Sequence, residues 1–285
     1  MAEPSQAVIM RFAPSPTGRL HLGHAFSAML SHDLARSRAG RFVLRIEDID
    51  SARCRPDFVD AIVEDLRWLG IDWDALEIQT HHARQHAAML DQLRDLGLIY
   101  PCICSRSEIA ASASAPHGNA GLVYPGTCRE RVLAAQEARP TAWRLDVGKA
   151  VALTGSLSWY DADAGTVAAD PLAGGDVVVA RKGSGATYHL AAVADDATAG
   201  VTHVVRGVDL FAATHVQRLL QALLDLPVPQ YRHHRLIAGP DGKRLAKRTP
   251  GSTLADLRKA GVDPAVLCDD LRKHRLPVGF GWVHA

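Results

Sequence analysis

Apolar positions set out the first elements of the chain. Val8-Ile9-Met10 continues through Arg11 to Phe12, a short run with the length and make-up of a buried strand. Pro14, Pro16 and Gly18 break that run into a loop. From Leu22 onward, apolar residues recur at Phe26, Met29, Leu30 and Leu34, the spacing of one helix face, and Gly40 supplies a stop. The pattern predicts strand, tight loop and helix, with His21-Leu22-Gly23-His24 at the helix entrance. Arg41–Ile46 reads as a second strand, and Pro56–Trp68 as a helix opened by proline and closed by Gly70. A further helix is predicted over about residues 83–96. Residues 140–170 are strand-like but irregular, and 176–181 reads as a buried strand. Residues 188–196 and 202–205 look like returns to the main sheet, followed by a helix over 211–224 and a last strand over 232–237. Residues 254–274 suffice for one or two helices. No internal repeat is present. The order predicts an α/β nucleotide-binding sheet split by an insertion of about 80 residues, in the range of common domain sizes.

Composition narrows the class without fixing it. The 285 residues are 47% hydrophobic and 22% charged, ordinary values for a globular chain with a substantial core. Lys+Arg 32 against Asp+Glu 31 gives a net charge of +1, so any contact with nucleic acid must come from local clusters. Residues 1–6 lack the apolar core of a signal peptide, and no run approaches the ~18 apolar residues of a membrane span. Of five cysteines, Cys102, Cys104 and Cys128 crowd together. An odd count with that spacing points to a metal site in a reducing compartment, and hence to a cytoplasmic protein, not to a disulfide framework.

The candidate chemistry lies at the loops. A helix entrance presents unpaired N–H groups and the positive end of the macrodipole, which suits phosphate. His21 and His24, three apart, project from one face of that turn, and Gly23 lets a flat base lie against the backbone. Glu47 follows the second strand at the edge where parallel sheets gather ligands, placed to meet an ammonium group or simply to lie in a solvated acidic loop. Arg206 suits bidentate capture of a carboxylate and Tyr188 can add a neutral hydrogen bond. The plain alternative is a surface pair between Arg206 and Asp209. Cys102, Cys104 and Cys128 supply three of the four ligands of a tetrahedral zinc shell, with Tyr124, His117 and Glu108 as candidates for the fourth. Lys243-Arg244-Leu245-Ala246-Lys247-Arg248 places four cations in six residues.

Arg-Phe-Ala-Pro-Ser-Pro-Thr-Gly-Arg-Leu-His-Leu-Gly-His at residues 11–24 resembles the first signature of class I aminoacyl-tRNA synthetases in its glutamate-specific form. The resemblance continues through Arg45-Ile46-Glu47-Asp48-Ile49-Asp50 and Arg206-Gly207-Val208-Asp209 to the cationic stretch at 243–248, where the family's second signature belongs. It implies a class I Rossmann-like fold with an inserted zinc-containing α+β subdomain and a short helical C-terminal segment. The implied spans are 1–97 and 176–250 for the two halves of the catalytic domain, 98–175 for the insertion and 251–285 for the C-terminal segment. It also implies that His21, His24 and Lys247 are catalytic and that, with Gly23, they bind ATP and its Mg²⁺. Glutamate would be held by Arg11, Ala13, Ser15, Glu47, Tyr188 and Arg206, with Glu47 on its α-amino group and Arg11, Tyr188 and Arg206 on its side-chain carboxylate. Tyr124 would complete a structural Zn²⁺ site with the three cysteines. Ala246 departs from the family's usual serine, which removes a hydroxyl and keeps the charge of Lys247.

Only about 37 residues follow that signature, too few for a helical anticodon reader. In this the chain resembles the family branch that activates glutamate without tRNA and places it on the queuosine base in the anticodon loop of tRNA(Asp). That branch implies a monomer acting on L-glutamate, ATP and queuosine-containing tRNA(Asp). A truncated synthetase charging a tRNA 3′ end and a non-catalytic zinc-stapled RNA-binding paralogue are the alternatives.

Overall fold

The computed structural model describes residues 7–105, 107–109, 123–131, 142–181, 185–245 and 253–283. Its main sheet is built around β1 (Ile9–Phe12), flanked by β2 (Arg41–Ile46) and β10 (His203–Gly207). The strand order is β3-β2-β1-β10-β11-β6-β7, with β3 at Ala75–Ile78, β11 at Gln230–His234, β6 at Ser158–Asp161 and β7 at Gly165–Ala168. All neighbours pair in parallel except β6 and β7. Because β1 has β2 on one side and the much later β10 on the other, the chain order reverses between them. The crevice beyond the C-terminal ends of β1 and β10 is therefore the ligand position of an open α/β sheet.

Helix α1 (Leu22–Ser37) packs its apolar stripe on the sheet: Leu22, Ala25, Phe26 and Met29 are buried among Met10, Phe42 and Leu44. Helices α2 (Pro56–Trp68) and α3 (Ala83–Asp95) follow where the periodicity placed them. A smaller antiparallel sheet has the order β4-β5-β8-β9, with β4 at Ile99–Cys102, β5 at Ala142–Leu145, β8 at Val178–Arg181 and β9 at Gly185–Ala186. The hairpin β6–β7 extends the main sheet, whereas β8 and β9 belong to the smaller one, so the sheets do not follow the expected division into an insertion over 98–175 and a catalytic half over 176–250.

Two stretches differ from the sequence expectation. Residues within 140–170 include helix α4 (Val147–Thr154), capped by the Asp146 side chain on the Lys149 N–H and ended at Gly155. Residues 188–196 are not a returning strand but lie in helix α5 (Tyr188–Thr198). Leu190-Ala191-Ala192-Val193-Ala194 is apolar on every side because the helix is buried. Such a run has no period to separate it from a strand, and its alanines favour helix. Helix α6 (Phe211–Leu223) covers the same face, and its Leu219 and Leu220 join Leu190 and Val193 in one cluster. Helices α7 (Leu254–Lys259) and α8 (Pro264–Arg272) return to the first core, where Leu254 and Leu271 are fully buried. A short ribbon of β12 (Ile237–Ala238) and β13 (Gly281–Trp282) completes the fold. Among the described residues, no helix is long and apolar enough to cross a membrane.

Candidate active site

The histidine turn is built by reciprocal capping. His21 is the N-cap of α1; its Nδ1 accepts from the Gly23 N–H at 3.1 Å, while its own N–H donates to Nδ1 of His24 at 3.2 Å. The rings stand 3.8 Å apart. With Nδ1 an acceptor in both rings, each neutral imidazole carries its proton on Nε2. Gly23 has a reason here that the sequence did not show: a Cβ would lie 3.1 Å from Cε1 of His21 and crowd the capping ring. Thr253 forms a bridge with His21 across the chain.

Beneath this turn lies a buried charge network. Arg11 donates through Nε to Asp196 at 3.1 Å, and Arg45, which is fully buried, donates to the same carboxylate at 2.5 Å and to Glu77 at 2.9 Å. Burial alone would raise Asp196; the two arginines reverse this and hold it below the usual carboxylate range. The terminal nitrogens of Arg11 make no hydrogen bond to the described residues, and Arg11 lines the cleft. Asp195, the neighbour, accepts from Gln79, His82 and His86 at 2.7 to 2.9 Å and ties α3 to α5. Two acids ending an Ala-rich apolar run were the signal in the sequence for this pair of buried anions.

Glu47 is half-buried above that network. Burial pushes its carboxyl up to about 7, aided by Asp196 and Asp195 and opposed by Arg11 and Arg45. Arg206 is 5% exposed at the end of β10, with Nη1 3.1 Å from the Tyr188 hydroxyl and Nη2 2.6 Å from Oγ1 of Thr214. Its Nε donates to Nε2 of His233 at 3.0 Å. Asp209 pairs with Arg244 at 2.5 Å, so the alternative Arg206–Asp209 pair does not form.

These groups line one continuous cleft. A cavity of about 440 Å³ is walled by Arg11, Ala13, Ser15, His21, Gly23, His24, Glu47, Tyr188 and Arg206. A second, of about 450 Å³, adjoins it at Ser15, Glu47 and Tyr188 and carries Arg53, Arg144, Arg181, Asp50 and Asp176 on its wall. Every expected glutamate- and ATP-site residue within the described residues therefore reaches the same cleft. Lys247, with Ala246 and Arg248, lies outside the described residues.

The cysteine cluster borders the second cavity through Tyr124. The Tyr124 oxygen is 3.4 Å from Sγ of Cys102 and 3.6 Å from Sγ of Cys104, which is 3.5 Å from Sγ of Cys128. A tetrahedral zinc shell with bonds of about 2.3 Å spaces its ligands about 3.8 Å apart, so this donor set fits one ion with little movement. Of the other candidates, Glu108 is exposed and accepts from the Ser105 N–H, and His117 lies outside the described residues. Arg144 stacks on the Tyr124 ring at 3.7 Å.

Residues 7–278 match the family tRNA synthetases class I (E and Q), catalytic domain, and the chain belongs to that family of ligases. It is 48% identical over 274 residues to the Glutamyl-Q tRNA(Asp) synthetase of Rhodobacter capsulatus, covering 90% of this chain and 97% of that one. It is 43% identical to the enzyme of the same name from Symbiobacterium thermophilum, over 92% of this chain and 84% of that one. These relatives place it in the glutamyl-Q tRNA(Asp) synthetase branch of the family. The crystal structure of a glutamate tRNA ligase from Elizabethkingia meningosepticum in complex with its amino acid superposes with a TM-score of 0.71 at 26% identity, over 90% of this chain and 53% of that one.

Proposed function

We propose that the protein joins glutamate to ATP as an adenylate without RNA, then transfers the glutamyl group to the queuosine base in the anticodon loop of tRNA(Asp). The observation that carries this reading is one cleft lined by cationic and phenolic donors (Arg11, Arg206, Tyr188), by Glu47 and by the histidine turn. In this reading Arg206, Tyr188 and Arg11 hold the side-chain carboxylate, and Glu47 the α-ammonium. Ala13 and Ser15 line the glutamate pocket. ATP with its magnesium lies against Gly23. The α-carboxylate oxygen attacks the α-phosphorus, pyrophosphate leaves, and the Nε2–H groups of His21 and His24 stabilise the charge that builds, joined by Lys247. A hydroxyl of the acceptor then attacks the acyl carbon and AMP leaves. Selection of glutamate over glutamine follows from donors without an amide-accepting partner.

The reading includes a structural zinc held by Cys102, Cys104, Tyr124 and Cys128. A closed shell leaves no position for substrate, so the ion would staple the loops beside the smaller sheet. The spans 1–97 and 251–285 are kept in its domain outline, while between them β6–β7 goes with the catalytic sheet and β4, β5, β8 and β9 with the smaller one, for a monomeric cytoplasmic enzyme.

Two measurements test it together: glutamate-dependent ATP–pyrophosphate exchange without RNA, and transfer of labelled glutamate to tRNA(Asp) with and without queuosine. Exchange that requires tRNA, or labelling of queuosine-free tRNA(Asp), contradicts it.

A further inference from the structure

Arg206 is a buried cation linked to the Asp161 carboxylate through a neutral ring. Its Nε–H donates to Nε2 of His233 at 3.0 Å, and Nδ1 of His233 stands 2.8 Å from Oδ2 of Asp161. All three side chains are buried: 5% exposure at Arg206, 7% at His233 and 1% at Asp161. A guanidinium only donates, so Nε2 of His233 must offer a lone pair and the ring proton must sit on Nδ1, facing Asp161. Asp161 is itself fixed by the N–H groups of Asp163 and Ala164, both at 3.0 Å. Burial, then the charge of Arg206, pushes His233 down to about 4 against the pull of Asp161, so the ring stays uncharged at neutral pH.

Resting on the assignment of Arg206 to the glutamate side chain, we propose that His233 is a positioning residue for glutamate selectivity. It holds the guanidinium by its Nε edge as a neutral acceptor, leaving the positive charge for the substrate carboxylate. A carboxylate at that place would pair with Arg206 and cancel the charge that selects glutamate. An apolar residue would leave the guanidinium fork free to rotate away from its working orientation. Asp161 locks the tautomer on which this depends, and Thr214, 3.2 Å from the same Nε2, closes the far side.

The test compares His233→Leu, which removes the acceptor, with His233→Gln, whose amide oxygen restores one, in glutamate-dependent ATP–pyrophosphate exchange. His233→Leu is expected to raise KM for glutamate ~10-fold or more and to narrow the preference over glutamine, since hydrogen bonds to charged groups are the strong class. KM for ATP should change by less than about twofold, and His233→Gln should recover most of the loss. An unchanged KM for glutamate, equal impairment of the two variants, or a parallel rise in KM for ATP overturns the inference. If His233→Leu loses its cooperative melting transition, Asp161→Asn replaces it. An amide there cannot accept from the backbone and the ring at once, so the same selective rise in KM for glutamate is expected, and its absence overturns the inference. Arg206→Gln in parallel separates the two levels. Wild-type glutamate KM in that variant removes the underlying assignment, while a raised KM there with none in His233→Leu removes the role of His233 alone.

Discussion

The N–H of Leu254 donates to the carbonyl of Leu20 at 2.9 Å, joining the segment after the cationic stretch to the residue before the histidine turn. On the upstream side, the Leu245 N–H donates to the carbonyl of Ile237 at 3.0 Å, and both residues line the cleft. Leu245 is thus anchored on one wall of the cleft and Leu254 beside the histidine turn, and Lys247 lies between them in the sequence. In the proposed reaction Lys247 acts on charge that exists mainly in the transition state. Lys247→Ala should lower kcat in exchange by ~10²-fold or more with little change in KM for glutamate. An unchanged kcat would remove Lys247 from the mechanism.

Arg206 is buried in the wall of the same cleft, and truncating it removes a charged partner from a desolvated site. Arg206→Ala should raise KM for glutamate by about 10–100-fold and erode discrimination against glutamine, a loss of the size that hydrogen bonds to charged groups carry. Parallel exchange assays with both amino acids measure it. Retained preference for glutamate would make Arg206 a structural residue.

What could be read ahead of the structure followed from period and punctuation. Arg41–Ile46 and Pro56–Trp68 were legible at their ends because Gly40, Pro56 and Gly70 bracket clear patterns. The short strand Ala75–Ile78 was missed because its four residues lie on the sheet edge and show no alternation of burial. Helix α5 was misread because a helix buried all round loses its 3.6-residue period. At the site, His21, His24, Glu47, Tyr188 and Arg206 were legible from their own chemistry, Arg11, Ala13 and Ser15 only through the family resemblance, and Arg53, Arg144, Asp176 and Arg181 on the second cavity's wall were not singled out. Asp161, Thr214 and His233 were not, because each acts through Arg206 from a different element and only the fold brings them within 2.6 to 3.2 Å.

Glu47 gives a pH test with a definite sign. Its folded-state value of about 7 lies above its ordinary 4.5, so between those values the folded chain holds a proton that the unfolded chain has lost. Stability from this group is therefore complete below about 4.5, is withdrawn as pH rises, and is gone above about 7. Glu47→Gln should melt progressively higher relative to wild type from pH 5 to pH 8. For function the carboxylate is the useful form, because an ammonium needs an anion. In wild type kcat/KM for glutamate should climb through about pH 7 and level off above it, and Glu47→Gln should be low and lack that limb. A climb that persists in Glu47→Gln would assign the limb to another group.

The thiol cluster predicts about one zinc per chain by elemental analysis. Cys102→Ser replaces a thiolate with a poor zinc ligand, so metal should be lost and the β4–β5 region should become protease-sensitive, while ATP binding at the proposed histidine-turn site is kept. Preparations free of zinc, or full retention in Cys102→Ser, would contradict the site.

The acceptor is the remaining choice. A terminal ribose and the cyclopentenediol of queuosine both offer a hydroxyl flanked by another, so the chemistry of the adenylate cannot separate them. Access can. In the proposed reaction the acceptor would approach the acyl carbon past Ser15, Glu47 and Tyr188, the residues common to both cavities, with its sugar-like ring in the second cavity. That cavity carries Asp50 and Arg53, paired at 2.6 Å, together with Arg181, so it offers an anion for the secondary ammonium of queuosine and cations for phosphate. A ribose has no such ammonium. A short queuosine-containing anticodon stem-loop should therefore accept glutamate nearly as well as whole tRNA(Asp), and its binding should weaken steeply with salt. Asp50→Asn should lower transfer to queuosine RNA several-fold while leaving pyrophosphate exchange unchanged, because in the proposed reaction the adenylate forms in the first cavity. Glutamate found on the 3′ adenosine of tRNA(Glu), with none on queuosine RNA, would instead identify a truncated glutamyl-tRNA synthetase.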